Sequence, residues 1–140
     1  KARRKFLINR LRTPDSIDVR EYVPGSDPGM VISLNILTQL ENLPLEFLKG
    51  RSGGGEEAFM RFRRRVQEKH IGFLKKHPSV LITDISEVIT ESSGRINEIP
   101  SVVVDLPEAQ QTDEWTWHFE EKRPDFFRKK SAFRVRAMMF

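Results

Sequence analysis

Basic side chains recur in this chain at intervals that a helix would gather onto one side. Arg61, Arg65 and Lys69 are spaced by four, and Lys76 follows two turns further along, with Arg63, Arg64 and Lys75 flanking the row. Cationic groups on a rigid helix can meet successive phosphates, and an arginine can do so with two parallel hydrogen bonds. The alternative is a solvated helix face balanced by Glu57 and Glu68. The run Arg61-Phe62-Arg63-Arg64-Arg65 is denser in arginine than such a face needs, so phosphate contact is the expectation.

A second basic group lies near the C-terminus: Lys122, Arg123, Arg128, Lys129 and Lys130, followed by Arg134 and Arg136 at strand spacing. Two residues apart on a strand is one face, which sets both arginines opposite Phe133 and Val135. Phe126 and Phe127 interrupt the basic residues and read as core. A third group, Lys1, Arg3, Arg4, Lys5, Arg10 and Arg12, reads equally as a phosphate-tracking arm or as the end of a linker. Trp115, Trp117 and Phe119 alternate along another strand pattern, where packing into a core is preferred to stacking on bases.

Signals for catalysis are weaker. His70 and His77 lie seven apart, too far for the i, i+4 pair that shares a metal on one helix, and no cysteine is present. Nucleases of the restriction-like class hold magnesium with a Pro-Asp followed by an acidic-x-Lys. Pro14-Asp15 is present, but Asp18-Val19-Arg20 follows it, and arginine is far harder to deprotonate than lysine. Asp84 and Glu87 form a second acidic pair at no recognised spacing. Gly53-Gly54-Gly55 lacks the Lys-Ser/Thr ending of a phosphate-cradling loop and reads as a hinge over 51–55. The expectation is therefore a domain without catalytic residues, metal or cofactor.

Elements must position these groups. Phe6–Leu11 and Ile17–Val23 read as a β-hairpin around Thr13-Pro14-Asp15-Ser16, the second arm alternating with period two. Asp27 and Pro28 look like a helix start, and Leu34, Leu37, Leu40 and Leu43 recur at helical spacing, so a helix is predicted from about 28 to 42. A shorter one then follows Pro44 to residue 49. Residues 56–77 carry the strongest helical pattern, with Phe59, Phe62, Val66, Phe73 and Leu74 in one stripe and Pro78 as the stop. Strands are predicted at 80–90, 101–106, 115–119 and 132–138. The order implies an α+β fold with a largely antiparallel sheet.

Charge is segregated along the chain: +6 over residues 1–12, −4 over 13–49, +5 over 50–76, −7 over 77–116 and +4 over 117–140. With 38% hydrophobic residues over 140 positions, the chain can bury the core of one domain, 1–140. Its start at Lys reads as a piece of a longer protein. No apolar run approaches a membrane span, and the lack of cysteine suits an intracellular, reducing compartment. The expected function is nucleic-acid binding within a larger DNA-processing or regulatory protein, DNA before RNA. Its contacts would be Arg61, Arg64, Arg65, Lys69, Lys75 and Lys76, joined by Arg128, Lys129, Lys130, Arg134 and Arg136. The rival is a protein-interaction module whose acidic 77–116 region meets a partner, and a metal-dependent nuclease-like domain comes third.

Overall fold

The run Ser79–Thr90 is rich in β-branched residues, and it forms the axis of the structure. The computed structural model describes residues 13–48, 55–118 and 130–140. In chain order these give a short 3-10 turn (Pro14–Ser16), β1 (Val31–Leu34), α1 (Asn42–Leu48), α2 (Gly55–Leu74), β2 (Ser79–Thr90), β3 (Ile96–Pro100), β4 (Gln111–His118) and β5 (Lys130–Met139). The fold is α+β, with a mixed five-stranded sheet.

One edge of β2 is shared by two partners. β1 runs parallel to its first part, Val31 opposite Ser79 and Leu34 opposite Ile82, while β3 pairs antiparallel with its last part, from Ser86 opposite Pro100 to Thr90 opposite Ile96. The register shifts between Asp84 and Ser86, and the Ile85 carbonyl there accepts Ser101 N at 3.0 Å and Val102 N at 3.3 Å. β5 lines the other edge of β2 antiparallel, and β4 pairs antiparallel outside β5. Gly94, at φ +82, lets the β2–β3 connection turn tightly, with Gly94 N donating to Glu91 O at 2.9 Å.

The helix predicted over 28–42 is not formed. Asp27 does not cap a helix; its Oδ1 accepts the N–H of Gly29 at 3.0 Å, closing a side-chain turn, and Gly29 adopts φ +65. Val31–Leu34 then pairs with β2, and Asn35, at φ +53, ends the strand while donating to Ile82 O at 2.8 Å. Helix is confined to α1. The arm predicted over Ile17–Val23 is no strand either: it passes alongside α2, where no ladder can form, and its proposed partner Phe6–Leu11 lies outside the described residues. The strand predicted at 101–106 falls instead at Ile96–Pro100, and 101–110 is irregular.

α2 matches its prediction but stops at Leu74, with Glu56 and Glu57 in its first turn, where the helix dipole favours them. Lys75, Lys76 and His77 form the turn that follows, and the Ser79 hydroxyl lies 2.8 Å from Leu74 O, satisfying a terminal carbonyl. Its buried side chains include Ala58 and Phe62, about one turn apart, and Ile71 and Leu74, again about one turn apart but on another side of the helix. Ile71, Phe73 and Leu74 meet Leu37 and the fully buried Leu81, and Val31, Val102, Val104, Leu106 and Phe140 pack round them. Each such side chain contributes roughly 1.5–3 kcal/mol through burial.

A polar lattice ties the first half of α2 to its neighbours. Arg63 Nε and Gln67 Nε2 donate to Glu41 Oε1 at 3.2 and 3.1 Å, and Gln67 Oε1 accepts Val103 N at 2.8 Å. Arg63 and Gln67 also donate to Ser101 O, at 3.0 and 3.1 Å. Glu41 and Gln67 are both fully buried. Both donors meet Glu41 at Oε1, which offsets much of the cost of its burial, while Oε2 is buried with no hydrogen-bond partner among the described residues.

Candidate interaction surfaces

The basic row on α2 does not stand clear of the protein. The segment 13–23 runs along that side: Arg65 Nη2 donates to Pro14 O at 3.2 Å, Lys76 pairs with Glu21, and Tyr22 meets Phe73 edge-on with ring centres 5.6 Å apart. Arg61 lies 3.6 Å from Glu57 on its own helix. Arg64, Lys69 and Lys75 are exposed, with no carboxylate partner among the described residues. They fall on two sides of the helix. Lys69 borders a largely apolar groove of about 380 Å³ with Tyr22, Val66, His70 and Phe73. Arg64 and Lys75 border another, of about 500 Å³, which they share with Glu68 and Asp105. Each cationic site is thus small and partly offset by carboxylates.

Arg134 and Arg136 do share one face of β5, as their spacing requires, and carboxylates meet them there. Arg134 reaches Glu98 at 3.2 Å and Glu114 at 3.5 Å, and Arg136 Nε reaches Glu114 at 2.6 Å. The Ser86 hydroxyl bonds to Glu98 at 2.5 Å. That hydroxyl, and then Arg134, hold the Glu98 carboxyl below its ordinary range. Of the remaining basic candidates, Arg128 and Lys129 lie outside the described residues, and Lys130 is placed by its backbone alone as the first residue of β5.

Groups with catalytic chemistry are engaged elsewhere. Ser33 Oγ and His70 Nε2 lie 2.8 Å apart, the reach of a nucleophile and its base. Ser33, however, is buried beneath α2, and burial holds His70 below its usual pKa, so the contact ties helix to sheet. Asp84 accepts from Thr38 Oγ1 at 2.5 Å, and Glu87 from the Ser131 hydroxyl. Asp18 and Arg20 pair with each other at 2.5 Å on the surface. Among the described residues no group of three or more His, Asp or Glu is placed to hold a metal. No helix among them is long and apolar enough to cross a membrane.

The least expected surface is the second face of the sheet. Alternation places Leu81, Met138 and Ser33 toward α2, and the intervening residues on the opposite side. Register then builds rows across that side: Ile32, Val80 and Met139; Leu34, Ile82 and Ala137; Asp84, Val135 and Trp115; Glu87, Phe133 and Trp117. The contacts that hold α2 lie on the other face; Ile32 and Leu34 are 67% and 60% exposed, while Val135 is buried.

Trp115 and Trp117, expected in the core, are 43% and 51% exposed. All eight residues of β4 are exposed, and no described strand pairs with its outer edge. The sequence did carry a signal for this. Gln111, Thr112, Asp113, Glu114 and Thr116 make the strand polar on both faces, as an edge strand is, whereas a core strand is apolar on at least one. The chain matches no protein-family model, no curated protein and no solved structure.

Proposed function

We propose that this domain is a protein-interaction module that engages its partner through the open apolar face of the sheet. The observation that carries the reading is the set of exposed apolar side chains, Ile32, Leu34, Met139, Trp115 and Trp117, on the face of the sheet turned away from α2. Contiguous exposed apolar surface is uncommon on monomeric proteins and marks contact sites. Exposed tryptophans supply large contact area at low conformational cost. Asp113 lies on the same face, in line with a partner that is protein rather than phosphate polymer.

A second reading, nucleic-acid binding, is favoured by exposed Arg64, Lys69 and Lys75. Their separation on α2 and the ion pairs of Arg134, Arg136 and Lys76 weigh against it. A photo-crosslinking residue placed at Trp115 or at Lys75 separates the two readings in cells. Position 115 is expected to yield polypeptide adducts, and position 75 no nucleic-acid adducts. Nucleic-acid adducts at 75 with none of protein at 115 would reverse the conclusion.

A further inference from the structure

The outer edge of β4 suits one partner in particular. Its backbone is extended over eight residues, all exposed, and no described strand occupies the edge. Such an edge is a template for another strand. When a strand pairs antiparallel with its own copy, the symmetry axis passes through one residue, and the sequence decides which.

An axis at Glu114 sets Glu114 against Glu114, and like charges directly opposed destabilise a ladder. An axis at Trp115 sets Asp113 against Trp117. An axis at Thr116 opposes Thr116 to itself, Trp115 to Trp117, and Glu114 to His118. Each of these is a favourable cross-strand pair: hydroxyl with hydroxyl, ring with ring, carboxylate with imidazole. Side chains that meet in this register share a face, because the opposed positions differ by an even number of residues.

We infer that β4 pairs antiparallel with β4 of a second copy of this chain, with the two-fold axis at Thr116. The two sheets become one continuous sheet. Four tryptophan rings from the two copies lie side by side on the open face, and Glu114 of each copy faces His118 of the other. The axis is isologous, so assembly closes at two copies and leaves no free β4 edge. The inference rests on the reading of the sheet as a protein contact and adds to its open face the β4 edge, where a second copy joins.

The chain contains no cysteine, which makes a single introduced one informative. Sedimentation of the full chain is expected to give twice the 16.3 kDa monomer mass. Thr116→Cys, which the axis sets against itself, is expected to form an intermolecular disulfide on mild oxidation, whereas Thr112→Cys stays monomeric on denaturing gels. Thr116→Lys, which opposes two ammonium groups at the axis, is expected to sediment as a monomer with an unchanged circular dichroism spectrum. A monomer mass for the unmodified chain at every concentration overturns the inference. So does a dimer that persists in Thr116→Lys while Thr116→Cys fails to cross-link. If the chain is monomeric while the photo-crosslinker at 115 captures a different polypeptide, the second copy is ruled out and the protein-contact reading stands. If it captures neither, both fall.

Discussion

The two faces of the sheet are made from the same strands, yet they are finished differently. Toward α2, hydrophobic side chains interlock with a helix, and polar groups among them are paired: Glu41 with Arg63 and Gln67, Ser33 with His70. Further along that face, beyond Leu81 and Met138, Arg134, Arg136, Glu98 and Glu114 satisfy one another. On the other face Asp84, Glu87 and Asp113 stand at the margins of the apolar rows, and Ile32, Leu34, Trp115 and Trp117 are exposed. The covered face is built for stability, and the open one carries surface beyond what the described fold uses. Substitutions on the two faces should therefore separate folding from contact.

The largest effect is expected at the buried lattice. Arg63→Ala leaves the Glu41 carboxylate buried without its cation, a loss of about 3–5 kcal/mol. Urea denaturation monitored by circular dichroism measures it; a change below about 1 kcal/mol means that the lattice relaxes or hydrates. Next comes Leu81→Ala, expected to cost about 2–5 kcal/mol because the site is enclosed by α2 on one side and strands on the others.

His70 sharpens the comparison through pH. Its folded pKa lies below the 6.5 of the free side chain, so on acidification the unfolded chain takes up the proton first. Stability is fully present above 6.5 and is lost as pH falls through the lower, folded value. His70→Gln should remove that part of the acid sensitivity, and parallel denaturation curves from neutral to mildly acidic pH test it. A wild-type profile that matches the variant's would show that His70 is not the group responsible.

Smaller still is the effect expected at Glu98. Arg134→Ala should raise its carboxyl pKa toward the ordinary value, with Ser86 still holding it part of the way down, as an NMR titration would follow. The smallest belongs to the open face. Ile32→Thr, at a site 67% exposed, should change stability by no more than about 0.5 kcal/mol. A loss near that of Leu81→Ala would mean that the face is covered in the folded chain and would erase the contrast.

The long helix and the strands β2 and β5 were legible in the sequence because burial stamps a period on them: one turn for α2, alternation for the strands. Val31–Leu34 misled because Leu34, Leu37, Leu40 and Leu43 mimic a helical stripe, although Leu37 alone of the four is buried. What decides that segment is the left-handed backbone at Gly29 and Asn35 and a strand partner 48 residues away, and no local period records either. The arm 17–23 looks strand-like because Ile17, Val19 and Glu21 are half-buried while Asp18 and Arg20 are exposed, which produces a strand's pattern without a ladder. In the basic row, spacing located the cations, but the segment that runs along them is distant in sequence, Pro14 lying 51 residues before Arg65. The tryptophans were read by side-chain type alone, while the polar residues around them held the better information.

The shared edge of β2 has a consequence for the order in which this chain is made. The β2–β3 pairing can close as soon as its short turn leaves the ribosome, because both strands are neighbours in sequence. β1 has no such neighbour. Its partner segment ends at Ile82, so after Leu34 is synthesised another 48 residues must be added before the parallel pair is complete. At about 5–20 residues per second this takes roughly 2–10 s, during which Ile32 and Leu34 emerge on an unpaired strand. The nascent N-terminal part must wait for the middle of its own chain, and in that interval it is open to a holding chaperone.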